Sequence, residues 1–83
     1  MSSTVNSRRV EIKEIVCRII EIDEQELSEV ALFKDDHDVD SLMAIEILAA
    51  LEKTYGVSID QGELARMVNL VGVYEVVDEA LAR

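Results

Sequence analysis

The stretch from Asp40 to Gly56, DSLMAIEILAALEKTYG, constrains the fold of this 83-residue chain more than any other. It opens on an aspartate, whose carboxylate can accept from the free backbone N–H groups of a helix's first turn. It closes on a glycine, the residue best suited to a left-handed position after a helix. Between them, at about 100° per residue, Ala44, Ile47, Leu48, Leu51 and Tyr55 fall on one face. The spacing predicts a helix from Ser41 to Tyr55 with one buried stripe, which other apolar stripes must cover. Two further runs supply them. Ile12, Ile15, Val16, Ile19 and Ile22 recur at helical spacing behind Asn6 and Ser7, which read as caps. Leu70, Val73, Tyr74, Val77, Ala80 and Leu81 form a last stripe behind a capping Asn69.

The segments between these helices are less regular. In VSIDQGEL, Asp60 and Glu63 have the spacing of a capping box, and Ile59 and Leu64 that of a hydrophobic staple, so a short helix starts near Gln61 and fades by Met67. From Asp23 to Val39 the helical period is lost, although Leu27, Val30, Leu32 and Phe33 are apolar enough to pin the segment down. It reads as a long ordered loop with room for one short turn, and loops of this length in compact domains are commonly functional. The expected fold is therefore all-α: a small four-helix bundle with a long loop between the first and second helices and a short third helix, one domain spanning residues 1–83. A chain this small buries roughly 60–65% of its unfolded surface. Its aromatics are only Phe33, Tyr55 and Tyr74, which suits a small core without a deep pocket. An enclosed catalytic cleft needs walls on several sides, so a non-catalytic binding or carrier module is the expectation.

Charge narrows the partners. Eighteen acidic against eight basic residues would repel nucleic acid and favour a partner protein with a basic surface. Nine of the acids lie between Glu21 and Asp40, where Lys34 is the one base. No apolar stretch reaches the roughly 18 residues of a membrane span and the N-terminus has no secretory apolar core, so no membrane association and a cytoplasmic location are expected. Cys17 is alone and reads as a small hydrophobe beside the first stripe.

The second helix carries more than packing requires. Opposite its core stripe, Leu42, Ile45 and Ala49 sit among Glu46, Glu52 and Lys53, with Met43 between the two stripes. Apolar spots rimmed by charge on an exposed helix have the composition of a transient protein interface. Ser41 stands at the head of that helix, where the helix dipole and unpaired N–H groups favour an attached anion. As a hydrolytic nucleophile it lacks support: His37 is the only histidine, and no glycine lies near to shape an oxyanion hole. Asp36, Asp38 and Asp40 occupy positions 1, 3 and 5 of a calcium loop. Position 6, where glycine is needed, is Ser41, and position 12, where glutamate is needed, is Ile47. An acidic-loop calcium-binding protein is the alternative from a different class, and no specific metal ligands are assigned.

DVDSLMAIEILAALEKTYGVSI resembles the carrier motif of acyl carrier proteins, and the four segments match that family's bundle across nearly the whole chain. The resemblance implies that Ser41 receives a 4′-phosphopantetheine arm from coenzyme A, whose thiol carries acyl chains as thioesters. Asp40 would be its flanking acid. Leu42, Met43, Ile45, Glu46 and Ala49 would lie on or beside the recognition surface, and a cradle between the helices would hold the growing chain. It implies no catalytic residue in this chain. The implied partners are a phosphopantetheinyl transferase and a ketosynthase, acyltransferase and other synthase enzymes with basic docking surfaces, meeting a free-standing monomer. Many members have glycine two residues before the aspartate, where this chain has Asp38. DSLMAIE is most similar to polyketide synthase carriers; carriers of primary fatty acid synthesis and aminoacyl or peptidyl carriers are the alternatives within the family.

Overall fold

The computed structural model describes the backbone of residues 3–82 and the side chains of residues 7–82. Four α-helices, α1 (Ser3–Ile20), α2 (Phe33–His37), α3 (Ser41–Tyr55) and α4 (Leu70–Ala82), are joined by loops and by one 3-10 segment, Gln61–Arg66. No described helix is long and apolar enough to cross a membrane. The first helix starts earlier than its sequence signals suggest. Asn6 and Ser7 lie inside α1 rather than capping it, and the side chain of Asn6 is outside the described residues.

The three long helices meet on the stripes the periodicity predicts, with α1 packed on both α3 and α4. Ile12 and Val16 of α1, Leu51 of α3, and Leu70, Val73 and Val77 of α4 have no exposed surface. Val76 is also buried, while Leu81, assigned to the stripe, is 37% exposed near the end of α4. Cys17 lies in the core, and burial raises its thiol pKa. Polar ties fasten the rim of this core. The Tyr55 hydroxyl donates to Glu11 Oε1 at 2.7 Å, joining the end of α3 to α1. Arg8 pairs with Asp78 at 2.7 Å, joining α1 to α4. The guanidinium of Arg9 lies 4.9 Å from the ring centroid of Tyr74, whose hydroxyl burial pushes up to about 12.

Helix ends follow local chemistry. α1 stops where Glu21 turns left-handed (φ 58°) and the Ile22 N–H bonds back to the Cys17 carbonyl at 3.0 Å. Ile22 thus falls just beyond α1 rather than on it, packed at the edge of the core. α3 ends the same way at Gly56 (φ 62°), as its sequence predicts. The first loop holds one short helical turn, α2, as its sequence allows. Its anchors are Leu27, Phe33 and Val39, all buried. Val30 and Leu32, expected to help pin the loop, instead point outward. α2 closes on Asp38, which is left-handed (φ 55°). That is the position where the resembling family often has glycine, and the backbone supplies the reason: the left-handed region favours glycine, with aspartate among the more tolerant L residues.

Candidate functional site

Asp40 positions the head of α3. Its backbone is extended, its carboxylate Oδ1 accepts from the Met43 N–H at 2.9 Å, and its carbonyl accepts from the Ala44 N–H at 3.0 Å. This is the N-cap arrangement read from the sequence. It leaves Ser41 as the first residue of α3, exposed at the positively polarised end of the helix.

Beside Ser41 opens a cleft of about 680 Å³, walled by α2, α3 and the 3-10 segment. Phe33, Val39, Ala44, Ile47, Leu64 and Met67 make its lining mainly apolar, and Asp40 and Ser41 stand on its rim. The aromatic-poor composition suggested no deep pocket. The cleft is instead a partly open groove, formed because α2 folds back and sets Phe33 and Val39 beneath the corner leading into α3. The Phe33 N–H donates to the Val68 carbonyl at 2.9 Å, tying the start of α2 to the chain beyond the 3-10 segment. Sequence reasoning missed this wall. Its one signal was a pair of apolar residues, Phe33 and Val39, on either side of the acidic stretch 35–38.

The 3-10 wall is held differently from α3. None of its residues is buried. Asp60 Oδ1 accepts from the Gly62 N–H at 2.9 Å, and the Glu63 carboxylate accepts from Arg66 at 3.1 Å. Arg66 also binds both carboxylate oxygens of Glu79 at 2.7 and 2.6 Å, and these acids raise its already high pKa. A Cβ on Gly72 would overlap the Arg66 carbonyl oxygen, so the absence of a side chain there lets α4 approach the end of this segment. Asn69 caps α4 by accepting from the Gly72 N–H at 2.9 Å.

The outer face of α3 is as the sequence predicts. Leu42 is 66% and Ile45 39% exposed, Glu46 and Ala49 are exposed, and Met43 is half-buried against the core. Asp36, Asp38 and Asp40 are not gathered around one point. Asp36 accepts from the Leu32 N–H at 2.8 Å, Asp38 ends α2, and Asp40 begins α3. Among the described residues no group of three or more histidines, cysteines, aspartates or glutamates is placed to hold a metal ion. His37 closes α2, half-buried, rather than lying in an open loop.

A serine hydroxyl exposed at a helix N-terminus, with an apolar groove beside it, fits a phosphodiester-linked arm: the oxygen is accessible and the groove can receive an apolar cargo. Known proteins with related sequences fit the same group. The family described as "Phosphopantetheine attachment site" matches residues 10–77. Polyketide-8 synthase acyl carrier protein 1 of Streptomyces avermitilis is 69% identical over 74 residues, covering 89% of this chain and 88% of that protein. Polyketide-8 synthase acyl carrier protein 2 of the same organism is 38% identical over 80 residues, covering 96% and 92%. A chain in the solved structure titled "The ishigamide ketosynthase/chain length factor" superposes with a TM-score of 0.78 at 33% identity, covering 92% of this chain and 96% of that one.

Proposed function

The chain belongs to the phosphopantetheine attachment family as an acyl carrier protein, and from that membership we propose that Ser41 is its attachment residue and the outer face of α3 its recognition surface. When bound, the arm supplies a thiol that carries acyl groups as thioesters. The chain's own residues do the rest. Asp40 holds the first turn of α3 so that the Ser41 oxygen faces solvent. The positive end of the helix stabilises the phosphodiester charge. The groove between α2, α3 and the 3-10 segment shelters the cargo's apolar portion. Leu42, Ile45 and Ala49 offer apolar contact, with Met43 partly accessible between them and the core, and Glu46 offers charge to basic partner surfaces.

The observation that carries this reading is the exposed Ser41 at the rim of an apolar groove. Similarity to two polyketide synthase carriers supports service in polyketide-type synthesis, with a phosphopantetheinyl transferase, an acyltransferase and a ketosynthase as partners. We read residues 1–83 as one non-catalytic, monomeric carrier domain working in the cytoplasm.

Incubation with coenzyme A and a phosphopantetheinyl transferase tests the attachment. Intact mass is expected to gain one arm on the wild type and none on Ser41→Ala; an unmodified wild type, or a modified Ser41→Ala, overturns the assignment. Glu46→Lys tests the surface. It is expected to slow loading or chain transfer by about fivefold at low salt while leaving thermal unfolding within about 0.5 kcal/mol of wild type, since an exposed charge contributes little to stability. Unaltered rates would count against α3 as the docking face.

A further inference from the structure

Eight large apolar residues are exposed among those described, and two of them, Leu32 and Val68, line the groove. Leu42 and Ile45 belong to the outer face of α3. Four more, Val30 (70% exposed), Leu32 (40%), Val68 (48%) and Val71 (38%), come from two segments far apart in sequence. Two backbone bonds stitch those segments together: the Phe33 N–H donates to the Val68 carbonyl at 2.9 Å, and the Val71 N–H donates to the Glu29 carbonyl at 3.2 Å. The pairing lays residues 30–32 alongside residues 68–71. Four solvent-facing apolar side chains are thereby fixed on one seam, although a solvated loop and helix start would be served as well by polar residues. Exposed apolar side chains scattered singly are ordinary, whereas a set held together in this way is not.

We infer that the seam of Val30, Leu32, Val68 and Val71 is a second docking strip, which seats an apolar, basic-rimmed surface of a condensing enzyme. The inference rests on the carrier reading above and extends it to the partner's footprint. Position supports it first. Leu32 and Val68 also line the groove, so the strip reaches the rim opposite α3, with Ser41 between the two apolar surfaces. A partner that takes the Ser41 arm into a deep channel can meet both sides of the rim. Charge selects the kind of partner. Asp35 and Asp36, just beyond Leu32, are exposed, as is Glu75, one turn along α4 from Val71. Of the bases nearby, Arg66 is already engaged by Glu63, Glu75 and Glu79, which leaves Lys34 as the cation within the acidic segment. An acid-rimmed strip repels anionic lipid surfaces. A second copy of a chain with net charge −10 is disfavoured for the same reason. A basic protein surface remains.

The test uses the loaded full chain and a condensing enzyme that elongates on the wild type. Val30→Thr/Val71→Thr keeps side-chain shape while adding hydroxyls, and Leu81→Ser alters an exposed apolar residue near the far end of α4. Intact mass first establishes that each chain carries its arm. The double variant is expected to raise the condensing enzyme's KM for the carrier about fivefold or more, the scale of losing apolar anchors at an interface. Its kcat should be kept, and Leu81→Ser should stay within about twofold of wild type. A KM for the double variant equal to that of Leu81→Ser overturns the strip while the carrier reading stands. Sedimentation showing a wild-type dimer that the double variant dissociates reassigns the strip to self-association and also overturns it. A wild type that takes up no arm removes the carrier reading itself, and the proposed partner with it.

Discussion

The two principal walls of the groove are built on opposite terms. α3 is anchored from within: Ile47, Leu48 and Leu51 are buried, and its end is tied to α1 by the Tyr55 hydroxyl. The 3-10 wall buries none of its own residues fully: Leu64 packs partly against the core, and Arg66 on Glu79 and the close approach of Gly72 add to its hold. The difference teaches where rigidity is needed. Ser41 and the proposed recognition surface sit on the wall whose position is set by apolar packing. The opposite wall leans in part on exposed contacts, which salt and solvent weaken.

Perturbing each wall sharpens that contrast. The largest effect is expected from Leu51→Ala, which empties a site with no solvent exposure beneath α3. It should cost about 2–5 kcal/mol in chemical denaturation, a large part of the stability of so small a domain. A cost under about 1 kcal/mol would show that α3 is not the rigid wall. Gly72→Ala comes next. Alanine gains about 1 kcal/mol in helix propensity, but its Cβ would overlap the Arg66 backbone oxygen, which cannot swing aside as a side chain can. Overpacking of this kind typically costs about 1–3 kcal/mol, so the net change should be a loss of up to about 2 kcal/mol. Amide NMR shifts should cluster at residues 61–68 and spare α3; a stabilised protein would mean that the 3-10 wall moves freely. The smallest effect is expected at the corner joining α2 to the serine. Asp38→Gly relieves a left-handed residue worth about 1–2 kcal/mol while adding unfolded-chain entropy of about 0.4–1 kcal/mol. The balance is a stabilisation of up to about 1.5 kcal/mol, read as a small rise in Tm. A fall in Tm would show that the Asp38 side chain supports the corner in a way its backbone angle does not reveal.

The three long helices were legible because their signals are local and periodic. The aspartate before Ser41, the glycine after Tyr55 and the asparagine before Leu70 all act where expected. The outer face of α3 was legible for the same reason, since a helix of known phase divides its residues between core and solvent. The short α2 was not, because five residues cannot establish a period. Its buried Phe33 ends a short apolar run whose Val30 and Leu32 stay exposed, and its partner, the Val68 carbonyl, lies 35 positions away. The beginning of α1 was misplaced because Asn6 and Ser7 are good caps that a helix can also absorb.

Sequence alone determined the helical stripes, the capped serine and the family, since each depends on residue types at short spacing. Tertiary structure decided that a groove exists beside the serine, which of its walls is packed from within, and that four apolar side chains from distant segments share one seam. The physical reason is range. Capping and amphipathicity act within a few residues along the chain, whereas a groove and a seam exist only where backbone hydrogen bonds bring together segments that the sequence holds apart.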